Sequence, residues 1–90
     1  MQITEKVEIK NRLGFHLRIA AQFVKTTSRY KCRIQVKNHR GLANGKSLIN
    51  LIALAAPFGS EMTLSYEGND AGEACTAIRE LFAGNFGEKV

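Results

Sequence analysis

The sequence has no tryptophan, a single proline and only two cysteines. Cys32 and Cys75 lie too far apart for a disulfide framework and show no CxxC or other metal-binding spacing, so a cystine-stapled fold and a cysteine metal site are both disfavoured. Both cysteines fall in apolar-periodic segments, which favours buried free thiols. No run approaches the roughly 18 apolar residues of a membrane span, and the first residues lack the apolar core of a signal peptide. We therefore expect no membrane insertion and a cytoplasmic location.

The 90 residues are the length of one domain, and we expect 1–90 to fold as a single unit. The net charge of +5 predicts attraction to acidic proteins, nucleic acid or an anionic surface. A nucleic-acid-binding protein is disfavoured because the sequence has no RNP-like aromatic pair and no GXXG loop. An independent enzyme is disfavoured because no cofactor fingerprint and no acid–base constellation is visible, and we expect neither cofactor nor metal.

Four segments alternate between apolar and polar residues, as strands with one dry and one wet face do. Their apolar positions are Ile3, Val7 and Ile9, then Cys32, Ile34 and Val36, then the short segment "GLA", and finally Met62, Leu64 and Tyr66. Strands of this kind favour an antiparallel sheet whose outer face meets water.

Three segments have helical periodicity. The first runs from Leu17 to about Thr27, with an apolar stripe of Leu17, Ala20, Ala21 and Val24 that Ile19 and Phe23 widen. The second is the short segment "SLINLIALAA". The third has a capping-box-like start at Asp70 and Glu73 and a stop at Gly84. The order β-α-β-β-α-β-α predicts an α/β (α+β) fold, a two-layer open-faced β-sandwich in which three helices cover one face of a four-stranded antiparallel sheet.

A histidine, His16, stands at the entry to the first predicted helix, between Gly14 and Arg18. Backbone N–H groups at a helix start lack intrahelical partners, and the helix dipole adds partial positive charge, so such a position suits an anion. An imidazole nitrogen is a competent nucleophile toward phosphorus, and a guanidinium fork suits phosphate oxygens. His16 and Arg18 at a helix start are therefore suited to accept a phosphoryl group. The alternative is that His16 is only a helix cap or a solvated surface residue. The other histidine, His39, is expected to be a solvated turn residue.

Three motifs resemble those of the HPr family, the histidine-containing phosphocarriers of the bacterial sugar phosphotransferase system. The segment "GFHLRIAAQFVK" is similar to the family's active-site signature. Its matching residues are Gly14, His16, Arg18 and Ala20. Lys46 and Ser47 in "GKSLINLIALAAPFGSEM" match a second motif, and "EGNDAGEA" resembles a third. The motifs stand in family order over nearly the whole chain.

The resemblance implies a role for several of these residues. His16 would receive a phosphoryl group from phosphorylated enzyme I and pass it to an acceptor protein of the enzyme IIA type. Arg18 and the backbone N–H of Leu17 would steady the phosphate. Ser47 matches the residue that HPr kinase/phosphorylase modifies in some bacteria, although its position also suits a simple helix N-cap. The chain would then be a substrate of other enzymes and not an enzyme itself.

The resemblance also implies a docking surface for acidic partners, and we expect a monomer that presents this face to each partner in turn. Its apolar members would be Phe15, Leu48, Ile49 and Ile52, and its cationic rim would include Arg12, Lys25, Arg29 and Lys46. Leu51 and Leu54 are predicted to face the core. The alternative is a second helix buried on most of its sides.

Three positions depart from the family pattern. Ile19 replaces a proline, Leu17 replaces a small residue or threonine, and Phe15 replaces a leucine. Isoleucine lacks the fixed φ of proline, so the segment before the helix is expected to be looser. An alternative function remains open, in which an HPr-like protein controls a target protein through its phosphorylation state without sugar transport.

Overall fold

The computed structural model describes residues 1–88. The elements are β1 (Gln2–Glu8), α1 (Leu17–Thr27), β2 (Arg33–Asn38), β3 (Gly41–Asn44), α2 (Leu48–Ala53), β4 (Glu61–Glu67) and α3 (Ala71–Ala83), followed by a 3₁₀ turn at Asn85–Gly87. The predicted order of strands and helices is confirmed. The four strands form one antiparallel sheet in the order β1-β4-β2-β3, and the α+β open-faced sandwich predicted from the sequence is the observed fold.

The sheet is amphipathic across its two faces, as the period-two patterns predict. On the central strand β4, Met62, Leu64 and Tyr66 are fully buried beneath the helices. Leu64 lies opposite Val36 of β2 on one side and opposite Glu5 of β1 on the other. The intervening residues face away from the helices. Apolar burial on one face holds the register, because a shift by one residue would expose every core side chain.

The buried stripe of α1 differs from the predicted one. Its fully or nearly buried residues are Ile19, Ala20, Phe23, Thr26 and Thr27, whereas Leu17 and Ala21 are exposed. Leu17 is the first residue of the helix and projects beyond the core. Thr27 joins the stripe because its hydroxyl donates to the carbonyl oxygens of Val24 at 3.2 Å and Gly45 at 2.8 Å. A polar residue satisfied in this way is compatible with burial.

One carboxylate lies on the inward face of the sheet. Glu5 stands between Ile3 and Val7 on β1, and its side chain is 12% exposed. It accepts hydrogen bonds from the Tyr66 hydroxyl at 2.9 Å and the Cys75 thiol at 3.4 Å, and it pairs with Arg79 at 3.0 Å. Burial, followed by the contact with Glu5, raises the pKa of Cys75. Both cysteines are free and buried, as the sequence predicts.

The start of α3 differs from the predicted capping box. Asp70 is the N-cap residue, but its side chain makes no cap hydrogen bond. Its carboxylate instead accepts the backbone N–H groups of Lys31 and Cys32, each at 2.8 Å, and so ties α3 to the segment before β2. The hydrogen bond from Lys31, together with that from Cys32, holds the pKa of Asp70 below its ordinary value. Gly84 follows the last residue of α3, as predicted.

We expect Asp70→Asn to lower the free energy of unfolding at neutral pH, because the variant loses the anionic acceptor of two N–H groups. A depressed pKa in the folded state means that the carboxylate contributes fully above the unfolded-state pKa of about 3.9 and stops contributing as the pH falls through the lower folded-state value. The difference between wild type and variant should therefore shrink on acidification. Urea unfolding followed by circular dichroism at a series of pH values measures it.

Glu80→Gln is the matched control, since Glu80 is exposed on α3 and the substitution removes the same charge. This control should show no such shrinking difference. A gap between wild type and Asp70→Asn that stays constant through the acid range would show that the charge of Asp70 does not stabilise the fold.

Candidate functional site

The loop before α1 is fixed by contact with the chain that follows α2. Gly14 adopts φ of +78°, and a Cβ atom at this position would lie 2.7 Å from the carbonyl oxygen of Ala56. The N–H of Phe15 donates to that same oxygen at 2.9 Å. Glycine is required here both for its left-handed backbone and for the close approach of a second backbone. The chain therefore turns sharply at Gly14, and this turn sets the position of the next residues.

The Phe15 side chain lies in an aromatic cluster and not on the surface. It is 5% exposed and packs edge-on against Phe23 and Phe86, with ring centroids 5.7 and 6.3 Å apart. Phe82 completes the cluster at 4.9 Å from Phe86. The prediction that Phe15 belongs to an exposed docking surface is therefore wrong. Because the rigid turn at Gly14 directs this side chain inward, Phe15 anchors the loop to the core.

His16 is the N-cap residue of α1. Its backbone is extended, with φ of −82° and ψ of 178°, and its carbonyl oxygen accepts the N–H of Ala20 at 2.9 Å. The ring nitrogen Nδ1 accepts the backbone N–H of Arg18 at 3.3 Å. A nitrogen that accepts a hydrogen bond carries a lone pair, so in the neutral ring the proton resides on Nε2. The cap interaction thus points the nucleophilic lone pair of Nδ1 at the first turn of the helix.

The Nε2 side of the ring faces a carboxylate from the other end of the chain. Glu88 Oε2 lies 3.0 Å from His16 Nε2 and 3.1 Å from Arg18 Nε, and it also bonds Arg18 Nη2. The Glu88 side chain is 11% exposed, against 25% for His16 and 66% for Arg18. The Arg18 guanidinium, and then the Asn11 amide, hold the pKa of the Glu88 carboxyl below its ordinary value.

The segment that presents this carboxylate, residues 85–88, is called here the C-terminal hook. Asn85 and Phe86 have φ of +52° and +55°, a region that residues other than glycine rarely adopt. The buried Asn11 donates to Glu88 Oε1 at 2.7 Å and to the Asn85 carbonyl oxygen at 3.3 Å. Asn85 in turn donates its side-chain amide to the Glu88 carbonyl oxygen at 3.2 Å. Strained backbone of this kind persists where its surroundings hold it in place.

Asn11, Asn85 and Glu88 belong to the site, although no motif or spacing in the sequence predicts this. The contact between His16 and Glu88 joins positions 72 residues apart. Hydrophobic periodicity reports which face of an element is buried, and it carries no information about a polar contact between a loop and the end of the chain. Nor does any sequence pattern distinguish the buried Asn11 from an exposed asparagine in a polar loop.

The residues predicted for an apolar docking surface lie at different depths. Ile49 and Ile52 are 81 and 42% exposed. Leu17, which was not predicted to belong to this surface, is 60% exposed. Leu48 is partly buried and packs against the core. Leu51 is fully buried, and Leu54 is 4% exposed, as predicted. The second helix therefore does not have all of its apolar side chains in the core, and the three exposed side chains are called here the apolar surface.

Helices α1 and α2 run in opposite directions. The end of α1 contacts the segment before α2 through Thr27 and Gly45, while the segment after α2 contacts the loop before α1 through Ala56 and Phe15. His16 thus lies beside the C-terminal end of α2, and Ser47 lies beside the C-terminal end of α1. Ser47 is the N-cap of α2, where its hydroxyl accepts the N–H of Asn50 at 3.3 Å.

The predicted cationic rim is only partly free to reach other molecules. Arg12, Lys25 and Arg29 are exposed. Lys46 is partly buried, and its ammonium donates to the Tyr30 carbonyl oxygen at 2.5 Å. His39 is exposed in the turn between β2 and β3, as expected for a turn residue.

Neither a membrane helix nor a metal cluster occurs among residues 1–88. No helix there is long and apolar enough to cross a membrane. No group of three or more histidine, cysteine, aspartate or glutamate residues in this part of the chain is placed to hold a metal ion.

Comparison with known proteins agrees with this site. The family described as "PTS HPr component phosphorylation site" matches residues 3–84. The phosphocarrier protein HPr of Neisseria meningitidis is 37% identical over 86 residues, which are 96% of this chain and 97% of the relative. The HPr-like protein Crh of Halalkalibacterium halodurans is 37% identical over 76 residues, 84% of this chain and 90% of the relative.

Solved structures agree as well. A crystal structure of HPr from Thermoanaerobacter tengcongensis superimposes with a TM-score of 0.93 at 36% identity, covering 98% of this chain and 99% of that one. The sequence match to the Neisseria relative and the superposition on this structure thus cover 96% and 98% of the chain. Together with the histidine at the start of α1, they establish that the chain belongs to the HPr family of phosphocarrier proteins of the phosphotransferase system.

Proposed function

We propose that His16 carries the phosphoryl group, which it receives from phosphorylated enzyme I and passes to an acceptor protein of the enzyme IIA type. The observation that carries this proposal is the orientation of the His16 ring: Nδ1 faces the N-terminus of α1, while Nε2 faces the Glu88 carboxylate. The ring is 25% exposed, so a partner can reach it. Helix N-termini favour negative charge, and the N-terminus of α1 lies beside Nδ1, the nucleophilic atom.

The transfer balances without a separate base. The lone pair of Nδ1 forms the new bond to phosphorus, and the bond between phosphorus and the donor breaks with its electron pair going to the donor. Nε2 keeps its proton throughout, so the phosphorylated ring carries a positive charge. The reverse sequence of bond changes delivers the group to the acceptor.

Arg18 and the first turn of α1 are proposed to hold the phosphoryl oxygens. The Arg18 backbone N–H already points at Nδ1, and the N–H of Leu17 belongs to the same first turn, where backbone donors have no intrahelical acceptor. The Arg18 guanidinium contacts Glu88 beside Nε2, and since it is 66% exposed it is free to turn toward a phosphoryl group on Nδ1. Ile19, which stands where the family has proline, is fully buried and adds to the core instead.

We expect His16→Ala to abolish phosphorylation by enzyme I and phosphoenolpyruvate, because no other group of the site can take the phosphoryl group in its place. Intact mass before and after acid treatment measures the product, since phosphohistidine is acid-labile. His39→Ala removes the other histidine and should gain one acid-labile phosphate as the wild type does. Acid-labile phosphate on His16→Ala, or none on the wild type with cognate enzyme I, would contradict the proposal.

The apolar surface is proposed to dock enzyme I and the acceptor, with the exposed cations around it attracting their acidic faces. Leu17 and Ile52 flank His16 from α1 and from the near end of α2, and Ile49 extends the surface toward Ser47. An apolar area next to a reactive group allows each partner to exclude water from the transfer. A chain that uses one face for several partners works as a monomer, which we propose for this protein.

We expect Ile49→Glu to raise the KM for phosphorylation by enzyme I about ten-fold and to leave the free energy of unfolding within about 0.5 kcal/mol, since Ile49 is 81% exposed. Leu42→Glu is the matched control. Leu42 is 62% exposed and lies opposite Lys37 on the sheet face away from the helices. Equal KM values for the two variants would place the docking surface elsewhere.

Ser47 is proposed as a second, regulatory phosphorylation site for HPr kinase/phosphorylase. Its hydroxyl caps α2 and is only partly buried, so a kinase has access to it. A phosphate at an N-cap favours the helix that it caps. The likeness to the HPr-like protein Crh supports the alternative function, in which the phosphorylation state of the chain controls a target protein without sugar transport. Either function fits the cytoplasmic location that we propose.

We expect HPr kinase/phosphorylase and ATP to add one acid-stable phosphate to the wild type and none to Ser47→Ala. Loss of the cap should also cost Ser47→Ala about 1 kcal/mol of stability. Ser65→Ala, at a strand position on β4, is the control and should accept the phosphate. Acid-stable phosphate on Ser47→Ala would assign the modification to another residue.

A further inference from the structure

We propose that a pocket where β2 begins and β3 ends binds the phosphate monoester of a small polar metabolite. This pocket, called here the basic pocket, has a volume of about 310 Å³, and its cations are Lys31, Arg33 and Lys46. It lies beyond the C-terminal end of α1, whereas His16 stands at the other end of this 11-residue helix, about 16 Å away along its axis. The proposal therefore does not depend on the function of His16.

The lining of the basic pocket carries positive charge and no negative charge. No aspartate or glutamate of the described chain lines it. The ion pairs within residues 1–88 belong to His16, Arg18 and Arg79, so none of the three cations of the pocket has a carboxylate partner there. A concave site lined by charges of one sign raises the local concentration of the opposite ion. The pocket therefore favours an anionic ligand.

Two carboxylates lie close by, but they line a different pocket. Glu67 stands opposite Arg33 on β4, and both Glu67 and Asp70 line a second pocket together with Lys31 and Cys32. The Asp70 carboxylate is already engaged, since it accepts the backbone N–H groups of Lys31 and Cys32. These bonds fix the backbone at the edge of the basic pocket and leave the Lys31 side chain exposed.

Part of the basic pocket is held in place by contacts within the chain. The Lys46 ammonium donates to the Tyr30 carbonyl oxygen at 2.5 Å, and the Lys46 backbone N–H donates to Asn44 Oδ1 at 2.9 Å. An ammonium has three N–H donors, so Lys46 keeps two for a ligand. Because Oδ1 of Asn44 is occupied, the amide has its Nδ2 donors to offer. Groups that are positioned before binding lose less conformational entropy when a ligand arrives.

The residue types match a phosphate on a polar body. The Arg33 guanidinium has the forked geometry that pairs with two phosphate oxygens, and the lysines add charge. Gln35 and Asn44 stand opposite each other on β2 and β3, and their amides suit the hydroxyl groups of a ligand. Cys32 and Ile34 complete the lining and are almost fully buried.

The volume limits the size of the ligand. Pockets for small molecules span roughly 300–1,000 Å³, and the basic pocket is at the lower end of this range. A sugar phosphate or a nucleoside monophosphate fits this size, whereas a dinucleotide cofactor does not.

Titration of the ¹⁵N-labelled protein with four probes tests the proposal. The probes are ribose 5-phosphate, AMP, inorganic phosphate and adenosine. We expect both esters to shift the amide signals of residues 31–35 and 44–46, inorganic phosphate to bind more weakly, and adenosine, which has no charge, not to bind. Added salt should weaken binding, because the charges are at the surface. The tighter of the two esters identifies the ligand as a sugar phosphate or a nucleotide.

Arg33→Gln and Arg40→Gln form a matched pair of variants. Each removes one exposed guanidinium, and Arg40 lies in the turn between β2 and β3, outside the pocket. Arg33→Gln should raise the Kd of the tighter ester about ten-fold, as loss of a charge-assisted hydrogen bond does, and Arg40→Gln should leave it within about two-fold. Lys31→Gln and Lys37→Gln are a second pair, since both lysines are exposed and only Lys31 lines the pocket.

Four results would overturn the inference. Equal Kd values for Arg33→Gln and Arg40→Gln would show that the anions respond only to the net charge of +5. Signal changes at residues 16–18 and none in the pocket would place anion binding at the start of α1. Unchanged spectra at about 10 mM of each ester would show that the pocket takes no phosphate monoester. Inorganic phosphate that binds as tightly as the esters would contradict the role given to Gln35 and Asn44.

Discussion

The site depends on the contact between two backbones, that of Gly14 and that of Ala56. Because no side chain fits between them, the loop before α1 has one path, which turns Phe15 inward and leaves His16 at the helix start. The inward ring of Phe15 then supports Phe86, and Phe86 in turn locates the hook. The close approach at Gly14 therefore fixes Phe15, Phe15 packs against Phe86, and Phe86 holds the segment that carries the Glu88 carboxylate. The order of these contacts explains how a small domain without a deep cleft holds three groups of a site in fixed relation.

Local pattern was sufficient to predict the architecture. The strands, the helices and their order follow from periods of 2 and 3.6, and the chain shows them because each element buries one face. Where prediction failed, tertiary contacts decided the outcome. The spacing places Leu17 on the apolar stripe of α1, yet it is the first residue of the helix and extends beyond the core into solvent. Asp70 has the spacing of a capping residue, yet two N–H groups of a distant loop take its carboxylate.

The candidate site was predictable only in its local part. His16, Leu17 and Arg18 are adjacent in sequence, so their residue types and the helix start sufficed to suggest phosphate chemistry. The contacts of Glu88 with His16 and of Asn11 with Glu88 span 72 and 77 residues. A single sequence gives no sign of such pairs, because polar contacts between loops have neither period nor fixed spacing. The burial of Phe15 could not be predicted for the same reason. This loop residue is buried because it packs against Phe23 and Phe86, and the local sequence pattern does not reveal those contacts.

Burial of Tyr66 against Glu5 gives this protein a built-in optical reporter. With no tryptophan in the chain, near-ultraviolet absorption and emission come mainly from two tyrosines, and Tyr66 is fully buried. Burial and then the hydrogen bond to Glu5 raise the pKa of Tyr66, so its hydroxyl stays protonated in alkali that ionises an exposed phenol at about pH 10. Ionisation of this ring is therefore disfavoured for as long as β1 and β4 hold it buried against Glu5. An alkaline titration in a spectrophotometer reads the integrity of β1 against β4 without any label.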